Sequence, residues 1–518
     1  MKRLKERHLV ADYIPEPKLE FGYQQTGDHP KDGLYLFGPS KPPTRPDISV
    51  GVIGSADGLG FFREWIVRMS AHIPLPKPGP RDKKQRPHLS EFPGLEEAFG
   101  IRLSASNLIE YEIGLEELYA CIATENPYEA VSKTTDLFLR AIEKHDLEEE
   151  QAVDVWVFVL PEVVFENCRP EKIKRRKIEL HPGEFIKKQK QRVEMPLLDN
   201  ILDNENEYIF DDVPDFHRQV KARLLKLGYP SQLVRETTLA PQQFLNSAGK
   251  PKRGTQDEAS IAWNLGTGLF YKTQAEPPWK LANMRPGVCY IGLVFKQIPN
   301  HAENHACCAA QMFLSEGDGV VFRGANGPWQ SNKFEFHLNA DAAKKLISTV
   351  LDTYKSKFRE YPKELFIHGQ TVFSDEEWEA FASAAPVGTN IVGIRIKPSY
   401  GEMKLYREGD YPTVRGTALL LSDTDAFLWT TGFVPRLDTY MGPETPNPIF
   451  VTILRSSGQN PPISQVLADI HGLTKVNYNA CNFSDALPVT IRFANKVGEV
   501  LVMGSAEGAN RQPFKFYI

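Results

Sequence analysis

The chain has 518 residues, of which 41% are hydrophobic and 25% are charged, and its formal net charge at pH 7 is −5. This length allows about two to four domains. The negative net charge disfavours a protein that coats nucleic acid without sequence preference, because such proteins carry a large excess of basic residues. We expect a cytoplasmic protein without a membrane segment, since no apolar run reaches roughly 18 residues and the N-terminus MKRLKERH lacks the apolar core of a signal peptide.

The first half of the sequence predicts alternating strands and helices. Proline and glycine are frequent in the first 50 residues, which are interpreted as extended connections. The apolar run 48–53, the glycine-containing turn 54–60 and the amphipathic stretch after it predict strand, turn and helix. This turn lacks the Gly-Lys-Ser/Thr ending of a phosphate loop and is interpreted as structural. A helix over 127–145 and a buried strand over 153–160 predict a second α/β unit.

The most basic part of the sequence lies between Arg169 and Arg192. Such a run of charge has two equally good explanations. It is either a solvated loop or a surface that contacts nucleic acid or a partner protein. No aromatic residues for base stacking alternate with these charges in a regular way, so the run does not decide between the two.

A helical pattern with polar residues on one face begins at Asp215. His217 and Lys221 are four residues apart and therefore share a helix face. Gln232 follows eleven residues after Lys221, and a second helical segment carries Lys272 at its end. Taken singly, each of these residues is a weak signal, and an ordinary surface or core role is sufficient to explain it.

The second half of the sequence predicts a sheet of a different kind, with a boundary between the halves near residues 265–285. Several strands followed by a helix and another strand are the order that an RNase H-like sheet requires. In chain order the pattern predicts strands over 287–295, 307–313 and 317–324, a helix over 341–361, a strand over 364–368 and a helix over 463–475.

The segments that resemble the catalytic elements of an RNase H-like domain carry no carboxylate at the expected positions. They offer Val294, Gln370 and Asn495 instead. Two-metal phosphodiester hydrolysis needs anionic oxygens, which an aliphatic residue and two amides do not supply. We therefore expect binding of nucleic acid without cleavage. The alternative is a shifted nuclease site that uses residues 375–377 or Asp485, although Ser-Asp-Glu-Glu at 374–377 is better explained as a capping box.

Four segments of the second half resemble the PIWI domain of a short prokaryotic Argonaute: KTQAEPPWKL at 272–281, RPGVCYIGLV at 285–294, CCAAQMF at 307–313, and LTKVNYNACNF at 473–483 with the residues 488–500. The resemblance extends over nearly the whole chain. It implies an α/β fold, with an N-terminal extension and a Rossmann-like MID domain over residues 1–265 and an RNase H-like PIWI domain over residues 266–518. Short Argonautes lack the N and PAZ domains and generally have an inactivated PIWI site, and the three degenerate positions fit that pattern.

The resemblance also implies a pocket for the 5′-phosphate of a guide strand. His217, Lys221, Gln232 and Lys272 match the family's phosphate-binding pattern in order and approximate spacing. His217 departs from it, because many Argonautes place a tyrosine there that stacks on the first base. In many prokaryotic members a Mg²⁺ ion bridges the phosphate and the C-terminal carboxylate, which would here be that of Ile518.

The implied function is that of a guide-loaded sensor rather than an enzyme. A guide RNA with a 5′-phosphate pairs with single-stranded target DNA of plasmids or phage. A separately encoded effector with an APAZ region then carries out the catalysis, and a TIR domain that hydrolyses NAD is the expected effector. A sirtuin-like or nuclease effector is the alternative. The resemblance implies a heterodimer that oligomerises when it binds the target.

Overall fold

The computed structural model describes residues 10–77, 89–148, 151–169, 213–297, 305–313, 319–328, 336–440, 442, 444–504 and 512–518. These residues form a four-stranded sheet, a three-stranded sheet and a nine-stranded sheet. No helix in these ranges is both long and apolar enough to cross a membrane. The basic run between Arg169 and Arg192 lies outside the described residues except for Arg169 itself.

The helices and strands have the following bounds. The first half forms β1 (Val10–Tyr13), β2 (Leu19–Glu20), β3 (Thr26–Gly27), α1 (Pro30–Phe37), β4 (Val50–Gly54), α2 (Ala56–Met69), α3 (Leu95–Phe99), β5 (Ile109–Glu112), α4 (Leu115–Ile122), α5 (Pro127–Glu148), β6 (Val155–Leu160), α6 (Glu162–Asn167), α7 (Phe216–Leu227), β7 (Ser231–Arg235), α8 (Glu236–Leu239) and α9 (Glu258–Thr273). The second half forms β8 (Lys280–Leu281), β9 (Val288–Gln297), β10 (His305–Phe313), β11 (Gly319–Pro328), α10 (Ala340–Phe358), β12 (Glu364–Gly369), α11 (Asp375–Ala384), β13 (Asn390–Pro398), β14 (Thr417–Leu420), β15 (Asp425–Leu428), β16 (Ile449–Ser456), α12 (Ile463–Leu473) and α13 (Val489–Leu501).

The four-stranded sheet is parallel throughout, in the order β5-β4-β6-β7. All residues of β4 and β6 are buried, as expected for strands with helices on both faces. A Cβ at Gly51 would lie 2.3 Å from the Trp156 ring, so this position requires glycine. Ser55 caps α2 by accepting from the Gly58 amide. The predicted turn over 54–60 is wrong, because β4 runs to Gly54 and the cap allows the helix to begin at Ala56.

An apolar face holds α7 against this sheet and against α5. Phe216, Val220 and Leu224 of α7 are buried in one cluster with Phe138 of α5 and Phe158 of β6. These positions recur every three to four residues along α7, as the helical pattern predicts. The opposite side of α7 is therefore the one that presents polar residues.

The nine-stranded sheet is mixed, in the order β1-β14-β15-β16-β13-β12-β9-β10-β11. Strand β12 runs parallel to both β9 and β13, whereas β9, β10 and β11 are antiparallel neighbours. Helix α13 lies across β9 so closely that a Cβ at Gly292 would be 1.7 Å from the Thr490 carbonyl oxygen. The predicted order of strands, helix and strand is confirmed.

The two halves of the chain are joined more closely than sequence order suggests. Strand β1 comes from the first residues but pairs with β14 of the nine-stranded sheet. Residue 265, the predicted end of the first domain, lies inside the continuous helix α9. One hydrophobic cluster includes Val157 of the parallel sheet, Trp263 of α9 and Ile453 of the nine-stranded sheet. The division at residue 265 therefore stays a prediction, and it does not coincide with a linker.

Candidate functional site

Lys221 reaches from α7 to the last residue of the chain. Its ammonium donates to the main-chain oxygens of Ser231, at 2.7 Å, and of Ile518, at 2.5 Å. Only 1% of Lys221 is exposed. Helix α7 is fixed at its start by Asp215, whose carboxylate accepts from the Arg218 amide. The lysine is thus held by a capped helix rather than by a loop.

Gln232 and Lys272 meet beside this contact. The Lys272 ammonium donates to Gln232 Oε1 at 2.5 Å, and Lys272 is 2% exposed. Gln232 lies in β7 and Lys272 in the last turn of α9. A Cβ at Gly268 would lie 3.1 Å from Gln232 Oε1, so a small residue in α9 leaves room for the amide. Three separate elements therefore contribute to one cluster.

Lys496 is a further member of this cluster that the sequence did not identify. It lies on α13 and interacts electrostatically with Lys221 and Lys272. Its only sequence signal is a position four residues after Arg492, which places both cations on one face of α13. We refer to Lys221, Gln232, Lys272, Lys496 and Ile518 as the lysine cluster.

The lysine cluster holds more positive charge than its own groups neutralise. Within the part of the chain that the structure describes, no aspartate or glutamate forms an ion pair with Lys221 or Lys272. Burial, and then the neighbouring Lys496, lowers the pKa of Lys272 to about 7. Burial, Lys272 and Lys496 together hold the pKa of Lys221 well below its ordinary value. An anion with several acceptor oxygens would stabilise the charged form of these lysines.

His217 stands at the edge of the lysine cluster, where it also borders a small pocket. The pocket has a volume of about 160 Å³, and its walls include His217, Phe165, Leu233 and Arg235. The Arg235 guanidinium lies 3.3 Å from the centre of the Phe165 ring and is held by both carboxylate oxygens of Glu162. The pocket is therefore small and partly aromatic, and His217 joins it to the cationic site.

Three solved Argonaute structures have a fold similar to that of this chain. Clostridium butyricum Argonaute bound to a guide DNA and a 19-mer target DNA matches with a TM-score of 0.59 and 17% identity, over 96% of this chain and 54% of that chain. A. aeolicus Argonaute matches with a TM-score of 0.52 and 14% identity, over 98% and 55% of the two chains. The chain has an Argonaute MID–PIWI fold. It spans about half the length of the Argonautes that it matches.

A third match, Aa-Ago with externally bound siRNA, has a TM-score of 0.55 and 14% identity, over 98% of this chain and 56% of that chain. No protein-family model matches the sequence, and no curated protein does either. Because the identities are this low, the likeness establishes the fold and not the function of individual residues.

Two of the three positions at which the sequence analysis expected nuclease carboxylates lie side by side. Gly369 at the end of β12 is in register with Leu293 of β9, so the next residues, Gln370 and Val294, are neighbours as well. Asn495 lies on α13, which packs on β9, and its amide donates to the Ile491 carbonyl at 3.0 Å. Among the described residues, no three His, Cys, Asp or Glu side chains are grouped so that they could hold a metal ion.

The acidic residues considered for a shifted PIWI site are engaged in other interactions. Asp375 is exposed and pairs with Arg455. Glu377 accepts from the Ser374 amide at 2.9 Å while Ser374 accepts from the Glu377 amide, which confirms the capping box. Asp485 is buried and pairs with Arg492.

The oxygen atom of Ile518 suits a Mg²⁺ ion that arrives together with a phosphate. Mg²⁺ prefers oxygen ligands and commonly takes one or two from the protein, with the remainder from phosphate and water. The Ile518 oxygen lies within the lysine cluster, where Lys221 binds it. Three ammonium groups would repel a cation that came without an anion, so this donor set fits Mg²⁺ only as a phosphate complex.

Proposed function

We propose that this chain anchors the 5′-phosphate of a guide RNA in the lysine cluster and uses the guide to recognise complementary single-stranded DNA. The observation that carries the proposal is the burial of Lys221 and Lys272 beside Lys496, with no aspartate or glutamate partner for Lys221 or Lys272 in the described residues. A terminal phosphate brings up to two negative charges and three acceptor oxygens. These charges and acceptors complement the ammonium groups and the Gln232 amide.

The pocket beside His217 would take the base of the first nucleotide. The imidazole of His217 is part of its lining, together with the Arg235 guanidinium stacked on the Phe165 ring. Unstacked bases commonly bind on aromatic rings and guanidinium planes. The four residues expected from the sequence, His217, Lys221, Gln232 and Lys272, would then contact one nucleotide. Mg²⁺ held by Ile518 would neutralise part of the phosphate charge.

We further propose that the PIWI domain does not cleave the target. Val294 within β9 and Gln370 directly after β12 are neighbours, and neither they nor Asn495 offers an anionic oxygen for a metal ion. Asp375 and Asp485 are paired with arginines, so the alternative of a shifted nuclease site gains no support from the structure.

The proposed function requires a partner that acts when the target is bound. The chain spans about half the length of the Argonautes that it matches, and a second subunit with an APAZ region would complete the nucleic-acid channel. We propose that this subunit carries a TIR domain that hydrolyses NAD and that target-bound heterodimers oligomerise, which would restrict plasmids or phage. A sirtuin-like or nuclease effector is the alternative partner.

Equilibrium binding of two RNAs that differ only in the 5′ group tests the anchoring. We expect the 5′-phosphorylated RNA to bind at least about tenfold more tightly than the 5′-hydroxyl RNA, since each new charge-assisted hydrogen bond contributes about 1.5–3 kcal/mol. The same titration with EDTA in place of Mg²⁺ measures the contribution of the metal. Equal affinity for both RNAs would exclude the anchoring, and cleavage of a paired DNA target would exclude the inactive PIWI site.

The preference for the 5′-phosphate is expected to weaken as the pH rises from about 7 to about 9. The pKa of Lys272 is about 7 in the free protein, so above this value phosphate binding must take up a proton. The phosphate itself is already a dianion above its pKa of about 6. Affinity therefore falls by up to about tenfold per pH unit for each lysine that takes up a proton. Titrations of the 5′-hydroxyl RNA at the same pH values should lack this slope.

A further inference from the structure

The loop between α8 and α9 carries a local excess of positive charge in a chain that is acidic as a whole. Residues 237–256 include Lys250, Lys252 and Arg253 but no aspartate or glutamate, whereas the net charge of the whole chain is −5. Lys250 and Lys252 are exposed. Among the residues that the structure describes, neither of these two lysines forms an ion pair. Both ammonium groups are therefore open to an anionic ligand from outside the chain.

The backbone of this loop forms a closed hairpin over residues 244–253, which we call the basic hairpin. The Phe244 carbonyl accepts from the Lys252 amide at 2.8 Å. At the tip, the Asn246 side-chain oxygen accepts from the Lys250 amide at 3.1 Å. The Phe244 ring meets the Phe61 ring of α2 edge to face, with the ring centres 6.1 Å apart. The basic hairpin is thus fixed before a ligand binds, which lowers the entropy that binding costs.

The basic hairpin begins and ends beside the pocket at His217. Arg235 at the end of β7 lines that pocket, and the chain passes from there through α8 into the hairpin. Arg253, the last residue of the hairpin, lies close enough to Arg235 for the two guanidinium groups to repel each other. The hairpin therefore stands next to the place where the first base of the guide is proposed to bind.

Only one of the two nucleic-acid strands can continue past this place. The guide begins with its 5′-phosphate in the lysine cluster, so no guide nucleotide precedes the one in the pocket. The target pairs antiparallel to the guide, and its nucleotides on the 3′ side of the paired region therefore extend beyond the guide's 5′ end. Each of these nucleotides brings a phosphate, which an ammonium group can bind without reading the base.

We propose that Lys250 and Lys252 bind backbone phosphates of the target DNA on the 3′ side of the paired region. The inference rests on the proposed function, because the first nucleotide of the guide sets the point at which pairing ends. The contact recognises charge and not sequence, so any DNA that flanks a target site would serve. It would favour a site inside a long single strand over the end of a short fragment.

Target DNAs that differ only at the 3′ end test this contact on the full chain loaded with a 5′-phosphorylated RNA. One DNA ends flush, opposite the first guide nucleotide, and a second continues for about six nucleotides. We expect the extended DNA to bind about three- to tenfold more tightly, because two exposed ion pairs each contribute little. The same extension built with uncharged methylphosphonate linkages should bind like the flush DNA.

Lys250→Gln combined with Lys252→Gln should abolish the advantage of the extended DNA. The slope of log affinity against log salt for that DNA should become shallower by about 1.4, which is about 0.7 for each phosphate contact on a single strand. Binding of the guide RNA and of the flush DNA should stay unchanged, because both side chains are exposed and lie outside the lysine cluster. Lys344→Gln combined with Lys345→Gln removes the same charge from the exposed face of α10 and should change none of these affinities.

The outcomes distinguish this contact from the proposed function. Equal affinity of the guide-loaded chain for flush and extended DNA would overturn the inference and leave the anchoring intact. Equal weakening of both DNAs by the double variant would also overturn it, as would a full advantage with methylphosphonate linkages. If the double variant lost binding of a protein partner but kept the advantage of the extended DNA, the hairpin would belong to that partner and the inference would fail. Absence of a 5′-phosphate preference in the unchanged chain would instead refute the anchoring in the lysine cluster.

Discussion

Replacing both Lys221 and Lys272 by alanine is expected to weaken binding of 5′-phosphorylated RNA by about a hundredfold or more. Each ammonium would make a charge-assisted hydrogen bond to the phosphate, and each such bond contributes about 1.5–3 kcal/mol. Because about 1.4 kcal/mol corresponds to a factor of ten, two lost bonds give at least this reduction. Affinity for 5′-hydroxyl RNA should change little.

The fold should survive this double substitution. Burial and neighbouring cations hold the pKa values of both lysines below their ordinary value, so the free protein gains little from their charge. Lys221→Met and Lys272→Met fill more of the vacated space and serve as a second pair if alanine destabilises the chain. Lys226→Ala, on the exposed part of the same helix α7, is the matched control. Unchanged affinity of a folded double variant for 5′-phosphorylated RNA would remove the lysine cluster as the anchoring site.

Glu16→Gln is expected to lower the free energy of unfolding by about 3–5 kcal/mol. The Glu16 carboxylate accepts from Arg415 at 3.0 Å and from Lys475 at 2.8 Å, and both cations are almost completely buried. A neutral amide would leave two buried cations without a counter-charge. Although burial by itself raises the pKa of Glu16, Arg415 and Lys475 outweigh it and lower this pKa to about 2.

Denaturant unfolding of Glu16→Gln at neutral pH measures the loss directly. The folded pKa of Glu16 lies below the ordinary value of 4.5, so its contribution is present above this value and is lost as the pH falls towards about 2. The stability difference between the variant and the unchanged chain should therefore shrink in acid. Glu402→Gln removes an exposed carboxylate that pairs with Lys397 and should cost less than about 1 kcal/mol. A Glu16→Gln variant as stable as this control would show that the buried cations are satisfied by other groups.

This ion cluster also helps to hold the first described residues against the nine-stranded sheet. Strand β1 has only four residues, all of them exposed, and a strand this short gains little from burial. Glu16 follows β1 by three residues and brings its carboxylate to Arg415 and to Lys475, which lie in distant parts of the chain. Destabilising this cluster should therefore loosen β1 and the segment that follows it.

Local patterns of the sequence were sufficient for most individual elements. The apolar positions of α7 recur with the helical period, and the completely apolar β6 indicates a strand covered on both faces. Ser374 and Glu377 form their capping box as the spacing predicts. These features depend on residues within a few positions of one another. The sequence pattern is therefore sufficient to predict them.

The sequence by itself determined the alternation of helices and strands, the identity of four candidate phosphate-binding residues and the lack of carboxylates at Val294, Gln370 and Asn495. The tertiary structure decided which of these residues meet. It added Lys496 to Lys221 and Lys272, and it placed Glu16 between Arg415 and Lys475. It also showed that β1 pairs with β14 and that helix α9 continues through the predicted domain boundary at residue 265. Such contacts join residues hundreds of positions apart, and packing between whole elements determines them, whereas sequence periodicity reports only which face of one element is buried.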